Sequence, residues 1–177
     1  MGTTPHNDPE PETDIEKRTL LLMEHWSQSE GESDRGRVLF LAAQMDFYLR
    51  EVLECFLVED KSVTDLFEGP YAPFGSLSAK TKVAFVLGLI TREELAAADA
   101  VRKVRNVFAH ELDASFEHVE VKKLCAKPPI FDGRLCDRDA FFHLAMNTVI
   151  PLLYRSVSVK REWRRVELTK QNMPGLK

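Results

Sequence analysis

The stretch from Asp34 to Val58 reads DRGRVLFLAAQMDFYLREVLECFLV. Its apolar residues recur every three or four positions, which is the period of a helix with one buried face. They are Val38, Leu41, Ala42, Met45, Leu49, Val52, Leu53, Phe56 and Leu57. Ser33 comes just before, and its hydroxyl can accept a first-turn N–H. Asp46 lies beside the apolar stripe, four residues before Arg50, at a spacing that permits an ion pair. The stretch predicts one long amphipathic helix.

Helical periodicity and start signals recur along the rest of the chain. Thr91 and Glu94 have the spacing of a capping box. Pro151 falls inside the last helix and is expected to kink it, because proline removes one N–H. The other predicted segments are 15–29, a turn of helix at 63–67, a helix from Ser76 or Ser78 to Gly88, 91–108, 116–125 after Ser115, and a last helix from Asp137 or Asp139 through Leu153. No useful β alternation appears, so the sequence predicts an all-α helical bundle of about five to six helices.

The chain of 177 residues fits one domain. Residues 1–14 are polar and proline-rich and predict a disordered tail, 15–165 a single all-helical domain, and 166–177 a frayed tail. Residues 1–14 have no apolar stretch of the kind found in a signal peptide, so none is expected there, and no apolar run is long enough to cross a bilayer. Three cysteines at wide spacing give no disulfide framework. These features predict a soluble cytoplasmic protein, and the net charge of −4 argues against a dedicated nucleic-acid binder.

A polar cluster crowds the end of the helix that follows Thr91. It comprises Arg102, Lys103, Arg105, Asn106 and His110. A histidine can transfer the proton of a ribose 2′-hydroxyl, and an arginine can hold the phosphate, so the cluster has the chemistry for RNA cleavage without metal. Asn106 and His110 share a helix face, whereas Arg105 lies roughly 140° from His110. A loosened last turn or a second subunit would bring the two together.

A structural interpretation uses the same residues. His110 would cap the helix C-terminus, where a cation meets the negative end of the dipole. Arg105 would pair with Asp46 or Glu51 of the long helix, and Asn106 would bond to loop backbone. Spacing does not separate this interpretation from the catalytic one.

Other charged features have both a functional and a structural interpretation. Lys160, Arg161, Arg164 and Arg165, with Trp163, could contact nucleic acid, or could be a solvated helix end. The histidines have no metal-ligand spacing, and no glycine-rich phosphate loop is present. The sequence therefore predicts no metal and no cofactor.

Two blocks resemble the mannitol operon repressor (MltR) family. The first runs from Ser33 through Asp46. The second joins Phe74–Lys82 and Leu87–Ile90 to Arg102–His110, with Ser115-Phe116 behind it. The resemblance covers roughly residues 33–125. It implies an all-helical bacterial protein with a regulatory role in transcription, often dimeric.

The family name implies repression, and one helix-turn-helix candidate exists, formed by Ala79–Gly88, Leu89-Ile90 and Thr91–Val107. Its second helix would open on Glu93 and Glu94, whose carboxylates would repel DNA phosphates. An ordinary pair of antiparallel helices explains the same pattern, so direct DNA binding is the weaker expectation.

The string from Arg105 to His110 also looks like the Arg-x4-His motif of HEPN domains, which include metal-independent ribonucleases. If the roles of the motif residues apply to this sequence, Arg105 and His110 would be the catalytic pair, with Asn106 beside them. Asp46, Arg50, Glu51 and Arg102 are the possible supporting polar residues.

Three hypotheses follow from the sequence. The leading one is an MltR-type regulatory module that acts through protein partners and forms a homodimer. The second is a HEPN-type ribonuclease that binds RNA. The third is a helix-turn-helix repressor.

Overall fold

The computed structural model describes residues 11–125 and 137–162. Within these ranges the chain forms seven α-helices and no strand. The helices are α1 (Pro11–Ser29), α2 (Asp34–Phe56), α3 (Ser62–Phe67), α4 (Leu77–Val86), α5 (Arg92–His110), α6 (Val119–Cys125) and α7 (Arg138–Glu162). The predicted all-α class is confirmed. The helices outnumber the predicted five or six because α3 and α6 are single short segments of 6 and 7 residues.

The long helix α2 is the centre of the fold. Ser33 caps it as predicted, because its hydroxyl accepts the N–H of Gly36 at 3.2 Å. The apolar stripe is buried from Val38 through Leu53, while Phe56 and Leu57 pack at its margin. Helix α2 packs along α7 and also against α4 and α5. Together with α1, which also contacts α2, these helices bury its stripe.

Helices α4 and α5 form a hairpin whose ends carry the predicted signals. Ser76 caps α4, and Gly88 follows the helix with φ +72°, a left-handed conformation that glycine adopts without a steric penalty. Thr91 and Glu94 form the predicted capping box. Leu89 and Ile90 in the connection are buried, so the connection itself anchors the hairpin to the core.

Several predicted boundaries shift. Helix α1 begins at Pro11 rather than at Ile15, so residues 11–14 are helical and not tail; proline fits a first turn because the N–H it lacks has no helical partner there. Helix α5 continues to His110. Helix α6 begins at Val119, because Ser115 holds a turn through bonds from Glu117 and His118 instead of capping a helix.

Helix α7 is continuous through Pro151. Asp137 rather than Asp139 precedes it, and its carboxylate accepts the N–H of Ala140 at 2.8 Å. Residues 1–10 of the predicted tail and the predicted tail at 166–177 lie outside the described residues. So do the side chains of the basic segment 160–165. No helix in the described part of the chain is long and apolar enough to cross a membrane.

Candidate binding cleft

An open cleft of about 630 Å³ lies where α2, the start of α4 and the second half of α5 meet. Its floor comes from α2 and is mostly apolar. One wall is the loop before α4 with the first residues of that helix, and the other is the polar face of α5. The lining residues are Leu39, Ala42, Ala43, Asp46, Gly75, Ser76, Leu77, Ser78, Arg102, Arg105 and Asn106.

The start of α4 is held in place by the loop before it. The N–H of Phe74 donates to the carbonyl of Leu66 at 2.7 Å. At Gly75 a Cβ atom would lie 3.2 Å from the carbonyl oxygen of Ala72, so a side chain would crowd the backbone. Ser76 then accepts the N–H of Ala79 at 3.2 Å. These contacts fix the first turn of α4 at the edge of the cleft.

Asp46 lies in the cleft and is bound by Lys80 of α4. The ammonium of Lys80 donates to both carboxylate oxygens at 2.7 Å. The Lys80 side chain is only 5% exposed, whereas that of Asp46 is 38% exposed. The pair ties α2 to α4 and leaves one side of the carboxylate open to the cleft.

The ion pairs expected of the long helix are different from those observed. Arg50 pairs with Glu54 and Glu68 rather than with Asp46. Glu51 pairs with Arg18 of α1. The predicted pairing of Arg105 with Asp46 or Glu51 is therefore wrong, because other cations hold both carboxylates. Of the four possible supporting residues, Asp46 and Arg102 line the cleft and Arg50 and Glu51 do not.

Arg102 is held at the cleft wall by Asp99, one turn earlier on α5. Its guanidinium contacts the carboxylate at 2.7 Å, and Lys103 contacts the second oxygen at 2.6 Å. Burial acts to raise the pKa of Asp99, but the hydrogen bonds from Lys103 and Arg102 and their positive charges outweigh it, so the pKa lies below its usual value. Asp99 is therefore ionised at neutral pH and orients Arg102.

Arg105 and His110 are both exposed, and they occupy different surroundings. Arg105 lines the cleft and donates to the side-chain oxygen of Asn106 at 3.2 Å. His110 is the last residue of α5 and does not line the cleft. The predicted bond from Asn106 to loop backbone is not formed, since its partner is Arg105.

Arg35, at the start of α2, caps the C-terminus of α5. Its guanidinium donates to the carbonyl of Phe108, to that of Glu111 at 2.5 Å and to that of Leu112 at 3.1 Å. The capping role expected of His110 therefore belongs to Arg35. This contact joins residues distant in sequence, and no spacing rule could have found it.

A second cavity of about 370 Å³ lies between α4 and α5. It is lined by Ser78, Thr81, Lys82, Arg92, Leu95, Ala96, Asp99 and Arg102. Ser78 and Arg102 line both cavities. Sequence reasoning did not identify this cavity, the place of Ser76 and Ser78 in the cleft lining or the ion pair of Lys80 with Asp46, although the second block contains all three residues. Among the described residues, no cluster of three or more His, Cys, Asp or Glu could hold a metal ion.

Comparison with known proteins gives one match. No family model and no curated protein match the chain. A chain in the X-ray structure of the MtlR–HPr complex from Escherichia coli is similar to it, at 18% sequence identity and a TM-score of 0.49. The similarity covers 83% of this chain and 99% of that chain.

Proposed function

We propose that the chain is a bacterial regulatory module of the mannitol operon repressor type, which acts through a protein partner docked in the cleft. The observation that carries the proposal is the composition of the cleft. Apolar residues of α2 form its floor, and Arg102, Arg105 and Asn106 form one wall. Apolar pockets beside arginines are typical of the energetic centres of protein interfaces.

The sequence resemblance supports the same surface. All the residues that line the larger cleft fall within the segments that resemble the MltR family, Ser33–Asp46, Phe74–Lys82 and Arg102–His110. The resemblance and the cleft were found independently, one from residue order and the other from geometry. Their coincidence favours a functional surface over a packing defect.

The lining favours binding over catalysis within one chain. Within the described part of the chain, the cleft lining contains neither histidine nor cysteine, and its one carboxylate, Asp46, is bound by Lys80. A general acid or base needs a group that is free to exchange a proton with the substrate. We therefore propose that the cleft of a single chain binds a partner and does not catalyse a reaction.

The arrangement of α5 argues against reading DNA with that helix. Helix α5 packs against α2, α4, α6 and α7. Near its start, Glu94 is engaged by Thr91 and by Arg155 of α7. A recognition helix must instead present its N-terminal residues to the major groove.

Site-specific cross-linking in the native host tests the proposal. A photoreactive residue at Ala43, which is exposed on the cleft floor, should give an adduct with one defined protein. The same residue at Leu112, which is 98% exposed outside the cleft, is the control. The purified partner should then bind the wild type, and Ala43→Trp should weaken binding about tenfold or more because it fills the cleft. Adducts with nucleic acid alone, or equal adducts at both positions, would exclude a protein-binding cleft.

A metal-independent ribonuclease is the second candidate, and one observation favours it. Arg105 and His110 are both exposed, and neither is held by a carboxylate in the described part of the chain. Purified protein should then cleave RNA without added metal, and His110→Ala should abolish cleavage while the helical circular dichroism stays unchanged. Intact RNA between about pH 5 and pH 8, where a histidine titrates, would eliminate this candidate.

A further inference from the structure

The two cavities share Ser78 and Arg102 in their linings and so lie next to each other along α2, α4 and α5; we call the pair the α4–α5 groove. The larger cavity of about 630 Å³ lies on the side of α2, and the smaller one of about 370 Å³ lies between α4 and α5. Because Arg102 stands at the junction, an extended ligand in the groove would pass its guanidinium.

The groove is locally cationic although the chain carries a net charge of −4. Its carboxylates are Asp46, which Lys80 neutralises, and Asp99, which Lys103 contacts at 2.6 Å. Asp99 also contacts Arg102 at 2.7 Å. Among the described residues, the lining of the two cavities holds four cations against these two carboxylates. The cations are Lys82, Arg92, Arg102 and Arg105. Their spread along both cavities fits a ligand that carries several negative charges.

The supporting contacts hold the arginines in place. Asp99 orients Arg102, and Arg105 donates to Asn106. The guanidinium of Arg92 lies 5.2 Å from the centre of the Phe85 ring. An arginine held in this way loses less conformational entropy when it binds a carboxylate. The first turn of α4 lies at the junction and favours negative groups there as well.

The uncharged lining distinguishes a peptide from a nucleic acid. Among the residues that the structure describes, neither cavity has an aromatic side chain in its lining, so neither shows the stacking platform that unpaired bases use. Leu39, Leu77 and Leu95 instead offer apolar surface on both sides of the arginines. We propose that the α4–α5 groove binds an acidic peptide segment of a protein partner, with carboxylates at Arg102 and Arg105 and apolar side chains in the two cavities. This inference rests on the proposed protein-binding function.

Fluorescence anisotropy with a labelled peptide of alternating glutamate and leucine tests the inference. The variant with Arg102→Glu and Arg105→Glu should bind this peptide about tenfold more weakly than the wild type. The matched control carries Lys17→Glu and Lys123→Glu, which make the same change in net charge at exposed sites outside the groove, and should bind like the wild type. Arg105→Gln alone, at an exposed position, is the second variant if the double reversal disturbs the helical circular dichroism.

The alternatives give different results. Absence of peptide binding, or equal loss in the control variant, overturns the inference. The inference is also overturned if polyuridylate RNA displaces the peptide and its binding depends on the same arginines. A partner identified by cross-linking at Ala43 could bind the variant with Arg102→Glu and Arg105→Glu as tightly as the wild type. The protein-binding function would then stand, and the inference that the groove binds an acidic segment would be wrong. If neither partner nor peptide binds, both fail.

Discussion

At the scale of single residues, Lys80 is a cation that the fold almost removes from water, and its carboxylate partner is not equally buried. The side chain of Lys80 is 5% exposed and that of Asp46 is 38% exposed. Removal of Asp46 leaves the buried ammonium of Lys80 without a counter-ion, whereas removal of Lys80 leaves a carboxylate that water can reach. We therefore expect Asp46→Ala to lower the free energy of unfolding by about 3 kcal/mol and Lys80→Met by about 1 kcal/mol.

Urea denaturation of the single and double variants measures this asymmetry. Addition of Lys80→Met to Asp46→Ala should recover part of the loss, because it removes the stranded charge. Equal losses in the two single variants would mean that water solvates Lys80 in the folded protein.

Arg37 is a second buried cation, and it lacks a carboxylate partner in the described part of the chain. It is 9% exposed, its Nε has no hydrogen-bond partner there, and its guanidinium lies 4.0 Å from the centre of the Phe142 ring. A desolvated cation–π contact contributes roughly 2 kcal/mol, which offsets only part of the desolvation cost. Arg37→Met should therefore leave the free energy of unfolding within about 1 kcal/mol of the wild type.

A double-mutant cycle with Phe142→Leu isolates the ring contact. The ring substitution should cost about 1 kcal/mol more in the wild type than in the Arg37→Met background. A loss of several kcal/mol for Arg37→Met alone would show that the guanidinium has a stabilising partner besides the ring.

At the scale of elements, Glu94 serves two helices with one carboxylate. It accepts the N–H of Thr91 at 2.7 Å and so completes the cap of α5. Its two carboxylate oxygens also accept hydrogen bonds from the guanidinium of Arg155 of α7, at 2.8 and 2.9 Å, and its side chain is only 12% exposed. Thr91→Ala removes only the hydroxyl that accepts the N–H of Glu94 and should cost about 1 kcal/mol. Glu94→Ala removes the carboxylate half of the capping box together with the ion pair and should cost about 3 kcal/mol. Guanidinium denaturation compares the two, and equal losses would show that the contact with Arg155 adds no stability.

The elements also show which features the sequence could predict. The starts of α2 and α5 depend on neighbours within one turn, at Ser33 and at Thr91 with Glu94, so local spacing predicted them. The cap of α5 by Arg35 and the pair of Lys80 with Asp46 join different helices. Such contacts depend on how helices pack, which one-dimensional spacing does not encode.

The candidate site divides in the same way. Arg102, Arg105 and Asn106 were predicted together because they share one stretch of helix, and the structure places all three in the cleft lining. His110 belongs to the same string but lies outside that lining. Ser76 and Ser78 come to the cleft from another helix, so the motif could not indicate them.

At the scale of the whole molecule, the ribonuclease candidate depends on a second copy of the chain. Arg105 lines the cleft and His110 does not, so a composite site would take arginine from one subunit and histidine from the other across a two-fold axis. Light scattering should then show a dimer at micromolar concentration. A monomer under those conditions would remove both the dimer and this catalytic arrangement.

Mixing two inactive variants tests the shared site directly. Arg105→Ala and His110→Ala should each lack activity as pure proteins. After subunit exchange, half of the dimers would be mixed, and each would hold one site with both residues intact, so about a quarter of the wild-type activity should return. Exchange is verified by native mass spectrometry, and the ribonuclease activity of wild type taken through the same procedure is the reference for full activity. Proven exchange without recovery would mean that the two residues do not act across subunits, and Arg105 would then be left with its role in the cleft.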